Sequence, residues 1–110
     1  MGAGSLPFFK SGNHEPFPYT STSSGILNAD TAIKASTGIL IDVLVYTDGT
    51  NNATVTIYDD PNSADGTVLA KVVVKGSDLM GGEVGILANA GAGIYMDISG
   101  TGATALIRYA

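Results

Sequence analysis

Cysteine is absent from the 110-residue chain. That removes disulfides, thiolate metal sites and cysteine nucleophiles, and it excludes a small secreted domain stapled by disulfides. Histidine occurs once, at His14. Charge is scarce, at 14% of residues against about 25% in an average globular domain. Ten acids oppose five bases for a net charge of −5, with no basic stripe. A nucleic-acid partner, bound through phosphate neutralisation, is therefore not expected. No apolar run approaches the roughly 20 residues of a membrane span, so no membrane partner is expected either. The N-terminus lacks a basic stretch followed by a sustained apolar one, and a secretory signal is not expected.

What the chain does have is strand and turn material. Apolar residues make up 45% of it, and 15 Gly with many Thr, Ser and Asn fill the rest. This content argues against disorder. It also argues against a helical bundle, which would need long periodic runs of Ala, Leu, Glu and Lys. The length corresponds to one domain.

The composition changes near residue 23. Phe8, Phe9, Phe17, Pro7, Pro16, Pro18 and His14 all precede it. Proline fixes φ and biases the residue before it to extended geometry, so residues 1–23 are expected to form an extended N-terminal arm. Residues 24–110 are expected to form the folded domain.

In that domain apolar residues recur with period two. Gly38–Thr47 sets Ile39, Ile41, Val43 and Val45 on one face, opposite Leu40, Asp42, Leu44 and Tyr46. Ala53–Tyr58 turns Val55 and Ile57 inward, and Thr67–Lys75 does so with Val68, Ala70, Val72 and Val74. Ile94–Ser99 and Ala103–Tyr109 continue the pattern, with weaker strands at Gly25–Leu27, Thr31–Lys34 and Glu83–Leu87. A short helix over Thr31–Thr37, capped by Asp30, is disfavoured by its three β-branched residues. Asp48-Gly49 and Asp65-Gly66 are hairpin signals. Seven or eight short strands with these turns predict an all-β protein: an antiparallel, jelly-roll-like β-sandwich.

Catalytic chemistry finds little support. A triad needs an oriented base, and His14 lies in the arm. Asp59, Asp60 and Asp65, with Asn62, are a weak calcium candidate, since hard oxygen ligands on a tight loop suit that ion. Their spacing misses the EF-hand pattern, and Asp and Asn close turns through their own side chains. Gly91-Ala92-Gly93 and Gly100-Thr101-Gly102 look like phosphate loops, but strands follow them where a helix N-terminus is required. No enzyme activity, metal or cofactor is expected.

The aromatic distribution points to a partner. Phe8, Phe9, Phe17 and Tyr19 sit in a segment with too few strand signals to build its own core, and large aromatics bury themselves in something. They are the candidate partner-binding residues, with a strap over the chain's own sandwich as the alternative. Tyr46, Tyr58 and Tyr95 are the only candidates for a glycan-binding platform, and Tyr58 and Tyr95 also suit a cross-strand pair.

The run Thr31-Ala-Ile-Lys34, Gly38-Ile-Leu40, Val43-Leu-Val-Tyr-Thr-Asp-Gly-Thr50, Ala53-Thr-Val-Thr-Ile-Tyr-Asp59, Gly66-Thr-Val-Leu69 and Gly93-Ile-Tyr-Met-Asp-Ile-Ser-Gly-Thr-Gly102, ending at Tyr109, resembles small β-sandwich structural proteins of tailed bacteriophages. The resemblance spans residues 31–109 and excludes the arm. It implies a non-catalytic virion component, made in the host cytoplasm and placed on the capsid surface. Within that class it implies a decoration (cement) protein that binds the assembled major capsid protein lattice and copies of itself, as a trimer. The alternatives are a head–tail connector or tail component, and a carbohydrate- or receptor-binding module.

Overall fold

The computed structural model describes residues 20–110. Phe8, Phe9, His14, Phe17 and Tyr19 lie outside the described residues. Within them nine strands follow one another: β1 (Thr22–Leu27), β2 (Thr31–Lys34), β3 (Gly38–Tyr46), β4 (Ala53–Asp59), β5 (Thr67–Val74), β6 (Met80–Glu83), β7 (Ala88–Ala90), β8 (Ile94–Ser99) and β9 (Thr104–Tyr109). A 3-10 turn, Gly76–Asp78, precedes β6. The segment after Asp30 is strand, as its β-branched residues favour.

The strands form two antiparallel sheets. Sheet 1 runs β1-β9-β3-β6, with β7 also paired to β3; sheet 2 runs β2-β8-β4-β5. The pairing is nested. β1 pairs with β9, β2 with β8, β3 with β6 and β7, and β4 with β5. The first half of the chain thus meets the second half in reverse order, like one long antiparallel ribbon rolled over on itself. That is a jelly roll with its third-from-last strand broken in two. It confirms the all-β sandwich expected from the alternation.

Between the sheets lies one apolar core. Leu40, Val43, Val45, Val55, Ile57, Ile94, Met96, Ala105 and Ile107 are fully buried there, with Ala70, Val72 and Val74 closing the β5 side. Burying side chains of this kind contributes about 1.5–3 kcal/mol each, which is the main term offsetting chain entropy.

Bulges correct the simple alternation at several places. In β3, Leu40 pairs with Tyr109 and Asp42 with Arg108, so Ile41 is an extra residue. The extra residue reverses the faces before it, and Leu40 enters the core in place of the expected Ile39. The partner strand breaks at the same level. β6 pairs with Val43–Tyr46, β7 pairs with Gly38–Leu40, and the Ile41 carbonyl accepts the Ile86 N–H at 2.8 Å. In β5 the register shifts between Ala70 and Val68, which exposes Val68 and lets Leu69 pack against the core. The inward position expected for Val68 is therefore not observed.

The boundary drawn at residue 23 also moves. Thr22 pairs with Tyr109 and Ser23 with Arg108, so sheet 1 takes in residues that the proline-based division assigns to the arm. Their signal is weak because β1 is bulged. Gly25 sits at φ +73°, and Ser24 Oγ accepts the Ile107 N–H at 2.9 Å, replacing a ladder bond that the bulge removes.

Among the described strands, only β4 and β5 form a hairpin within one sheet, joined by the loop that contains Asp65-Gly66. Asp48-Gly49 instead leads from β3 in sheet 1 to β4 in sheet 2. Its Asp48 Oδ1 accepts the N–H groups of Thr50 at 2.9 Å and Asn51 at 2.7 Å. The hairpin expected there is a crossing between sheets, because the turn chemistry reverses the chain without choosing the strand's partner.

Candidate interaction surface

The acidic residues singled out as a calcium candidate serve the loops. Asp59, at the end of β4, faces the link between β7 and β8. Its Oδ1 accepts the Ala92 N–H at 2.8 Å and the Gly93 N–H at 3.3 Å, and its Oδ2 accepts the Gly91 N–H at 3.0 Å. Successive N–H groups of this kind form an anion-binding nest, and here a carboxylate of the same chain fills it. Asp60 Oδ1 accepts the N–H groups of Asn62 and Ser63, both at 2.9 Å, and Asp65 Oδ2 accepts the Ser63 hydroxyl at 3.0 Å. Among the described residues no cluster of three or more His, Cys, Asp or Glu is arranged to hold a metal. The three candidates are not brought together as a ligand set.

The carboxyls of Asp59 and Asp60 titrate below the ordinary range, Asp59 through the Ala92, Gly91 and Gly93 N–H groups, and Asp60 through the Asn62 N–H first. Asp97 on β8 goes the other way, raised by burial and then by neighbouring Asp30. Asp30 Oδ1 itself accepts the Ile98 N–H at 2.8 Å and ties the β1–β2 link to β8.

The Asp59 clamp makes stability depend on pH. A carboxyl lowered on folding stabilises the fold above its unfolded value and loses that contribution as pH falls through the lowered one. Asp59→Asn should therefore lower the thermal midpoint at neutral pH and flatten its decline on acidification below about pH 4. Faster hydrogen exchange at Gly91 and Ala92 should accompany it. An unchanged midpoint with unchanged exchange would show that the clamp contributes nothing.

The outer faces of the two sheets differ in kind. On sheet 2, Ser99, Thr54 and Val73 form one cross-strand row, and Asp97, Thr56 and Lys71 form the next. Tyr58 pairs with Tyr95 in the row beyond. Val68 opposes Tyr58 from the other side, so this face mixes polar side chains with the two tyrosines and with exposed Val68 and Val73.

Sheet 1 is different. Ile26 opposes Leu106, Leu106 opposes Leu44, and Leu44 opposes Gly82. In the adjacent row Thr104 opposes Tyr46, and Tyr46 opposes Met80. Since Val43, Val45, Ala105 and Ile107 point into the core, these neighbours point outward. Ile26 is 61% exposed and Met80 51%, while Leu44, Tyr46 and Leu106 are half-buried. Leu79, Val84 and Leu87 add exposed apolar surface along the β6–β7 margin. The stripe ends at a polar group: Arg108 Nε lies 3.6 Å from Asp42 Oδ2, and Asp42 Oδ1 accepts the Gly85 N–H at 2.8 Å.

No family model, curated protein or solved structure matches this chain. The functional reading therefore stands on the surface itself. Of the tyrosines considered as a glycan platform, Tyr58 and Tyr95 are cross-strand partners on sheet 2, and Tyr46 belongs to the apolar stripe of sheet 1. They do not share a face. The stripe was not evident from the sequence, because its residues come from β1, β3, β6 and β9, which only the sheet order brings together. Among the described residues no helix is long and apolar enough to cross a membrane.

Proposed function

We propose that this protein is a non-catalytic structural component of a virion: a decoration protein that coats the assembled major capsid protein lattice and stabilises it. The observation that supports this reading is the contiguous apolar stripe on the outer face of sheet 1. A sheet that meets water on one side normally alternates apolar and polar residues. Sheet 1 instead carries leucine, isoleucine, methionine and tyrosine side by side on its outer face, the signature of a surface completed by a partner. The resemblance of residues 31–109 to phage structural proteins supplies the setting. Jelly rolls serve viral capsids and lectins alike, so the fold is compatible with the reading and does not by itself select it.

Binding the assembled lattice and not loose coat protein stabilises the lattice by mass action, and many copies add avidity. The net charge of −5 keeps the free protein soluble despite its stripe.

Incubation of the purified protein with assembled capsids and with unassembled coat protein tests the reading. Sedimentation should carry the protein down with capsids alone, at a copy number that scales with the lattice. Leu106→Asp should weaken this binding by about 2–4 kcal/mol, as loss of a central apolar contact does, and leave the circular dichroism unchanged. A handful of copies per particle would identify a connector or tail component instead. Binding to glycans and not to capsids would overturn the proposal.

A further inference from the structure

On the outer face of sheet 2 two carboxyls meet where the chain passes from β1 to β2. The β2–β8 register sets Thr31 opposite Met96 and Ala32 opposite Tyr95. One step further along the same ladder, Asp30 comes opposite Asp97. Like charges directly opposite each other on paired strands repel.

Among the described residues the register brings no cation next to this pair. On its other side Asp97 meets Thr56, and Lys71 stands beyond Thr56, roughly 10 Å away at two strand spacings. Lys34, at the far end of β2, is opposite Ile94, three residues along β8 from Asp97. The other residues of the β1–β2 link, Asn28 and Ala29, are neutral. In the flanking rows of the sheet, Tyr95 and Tyr58 lie on one side and Ser99 and Thr54 on the other. Asp30 is therefore the one charged group in the position next to Asp97.

The two carboxyls are placed differently. Asp30 is exposed, and its Oδ1 already accepts the Ile98 N–H at 2.8 Å. Asp97 is half-buried, and burial, then the Asp30 charge, raises its carboxyl above the ordinary range. A proton on Asp97 makes that carboxyl a donor, with Asp30 as the acceptor in reach.

We propose that Asp30 and Asp97 form an acid-closed clasp that fastens the β1–β2 link to β8. In acid a proton held between the two carboxyls joins them. Its loss at higher pH leaves two anions face to face and loosens the link. That link connects two edge strands, β1 of sheet 1 and β2 of sheet 2, so the clasp sets how firmly both are held at this margin. Its sense is opposite to that of the Asp59 clamp. A carboxyl raised on folding stabilises the fold below its unfolded value and loses that contribution as pH rises through the raised one.

The full chain serves for the test, with carboxyl carbons followed by NMR through a pH titration. Asp97 should titrate above the ordinary Asp range, and the Ile98 amide should respond at the same pH. Asp97→Asn puts an amide that donates at any pH in place of the titrating group. At neutral pH it should shift the thermal midpoint upward and slow hydrogen exchange at Ile98. Both differences from the wild type should shrink as pH falls through the Asp97 titration. Comparison at each pH cancels the Asp59 contribution, which the two proteins share. Asp30→Asn should bring the Asp97 titration down toward the ordinary range.

An Asp97 that titrates at or below the ordinary range would overturn the clasp. So would an unchanged or lowered midpoint for Asp97→Asn at neutral pH. An Asp97 titration unmoved by Asp30→Asn would also overturn it, since burial alone would then account for the raised carboxyl.

Discussion

Ile57→Ala is expected to destabilise the protein by about 2–5 kcal/mol, the range for truncating a buried aliphatic side chain. Ile57 has no exposed surface and pairs in the ladder with Ala70 on β5 and Met96 on β8. It sits in the middle of sheet 2, where backbone pairing on both sides limits collapse around the lost methyl groups. The residual cavity then adds its own cost to the lost burial. At roughly 4–8 °C per kcal/mol for a domain of this size, the thermal midpoint should fall on the order of 10–30 °C. Val73→Ala is the control. Val73 is 64% exposed on the outer face of the neighbouring strand, and its loss should change stability by no more than about 0.5 kcal/mol. Urea denaturation of the two variants measures both values. Equal effects would mean that the assigned core face of sheet 2 is wrong.

Gly100→Ala should do comparable damage for a different reason. Gly100 lies in the link between β8 and β9 at φ +113°, a conformation L side chains rarely adopt. A Cβ there would also collide with the Asn52 carbonyl oxygen. The links at this end of the sandwich are locked together: the Thr47 hydroxyl donates to the Gly76 carbonyl at 2.8 Å, and Asn52 Oδ1 accepts the Gly76 N–H at 3.0 Å. The Asn52 side cannot retreat without breaking these contacts, so a loss of about 3–5 kcal/mol is expected from strain and displacement together. Gly25→Ala separates the two contributions. Gly25 has φ +73° but nothing within 4 Å of the position its Cβ would take. Its replacement should cost only about 1 kcal/mol, the backbone share. Similar urea midpoints for the two variants would refute the steric part of this account.

Much of the fold was legible in the sequence because alternation reports burial directly. Val55 and Ile57, Ile94 and Met96, and Ala105 and Ile107 all lie where period two puts them. The reading failed where a bulge adds one residue. Ile41 and Leu69 look like any other strand residue, and nothing in their chemistry announces a change of face. The Asp48-Gly49 turn failed differently: an Asx turn closes on its own backbone, and that local bond is the same whether the next strand joins the same sheet or the opposite one. Asp59 was legible as turn chemistry, but its partners at Gly91–Gly93 lie over thirty residues away and meet it only through the β4–β8 pairing.

The sequence by itself determined the class of this protein: one all-β domain whose core follows from the apolar period. Local composition was enough for that, because a strand's two faces are decided by its own residues. The tertiary structure alone decided the nested pairing of β1 with β9 and β3 with β6. That pairing aligns Ile26, Leu106, Leu44, Tyr46 and Met80 into one outward stripe. Apart from Tyr46, each of these residues is unremarked in its own strand, and together they make a surface, because adjacency across a sheet depends on strand order and register.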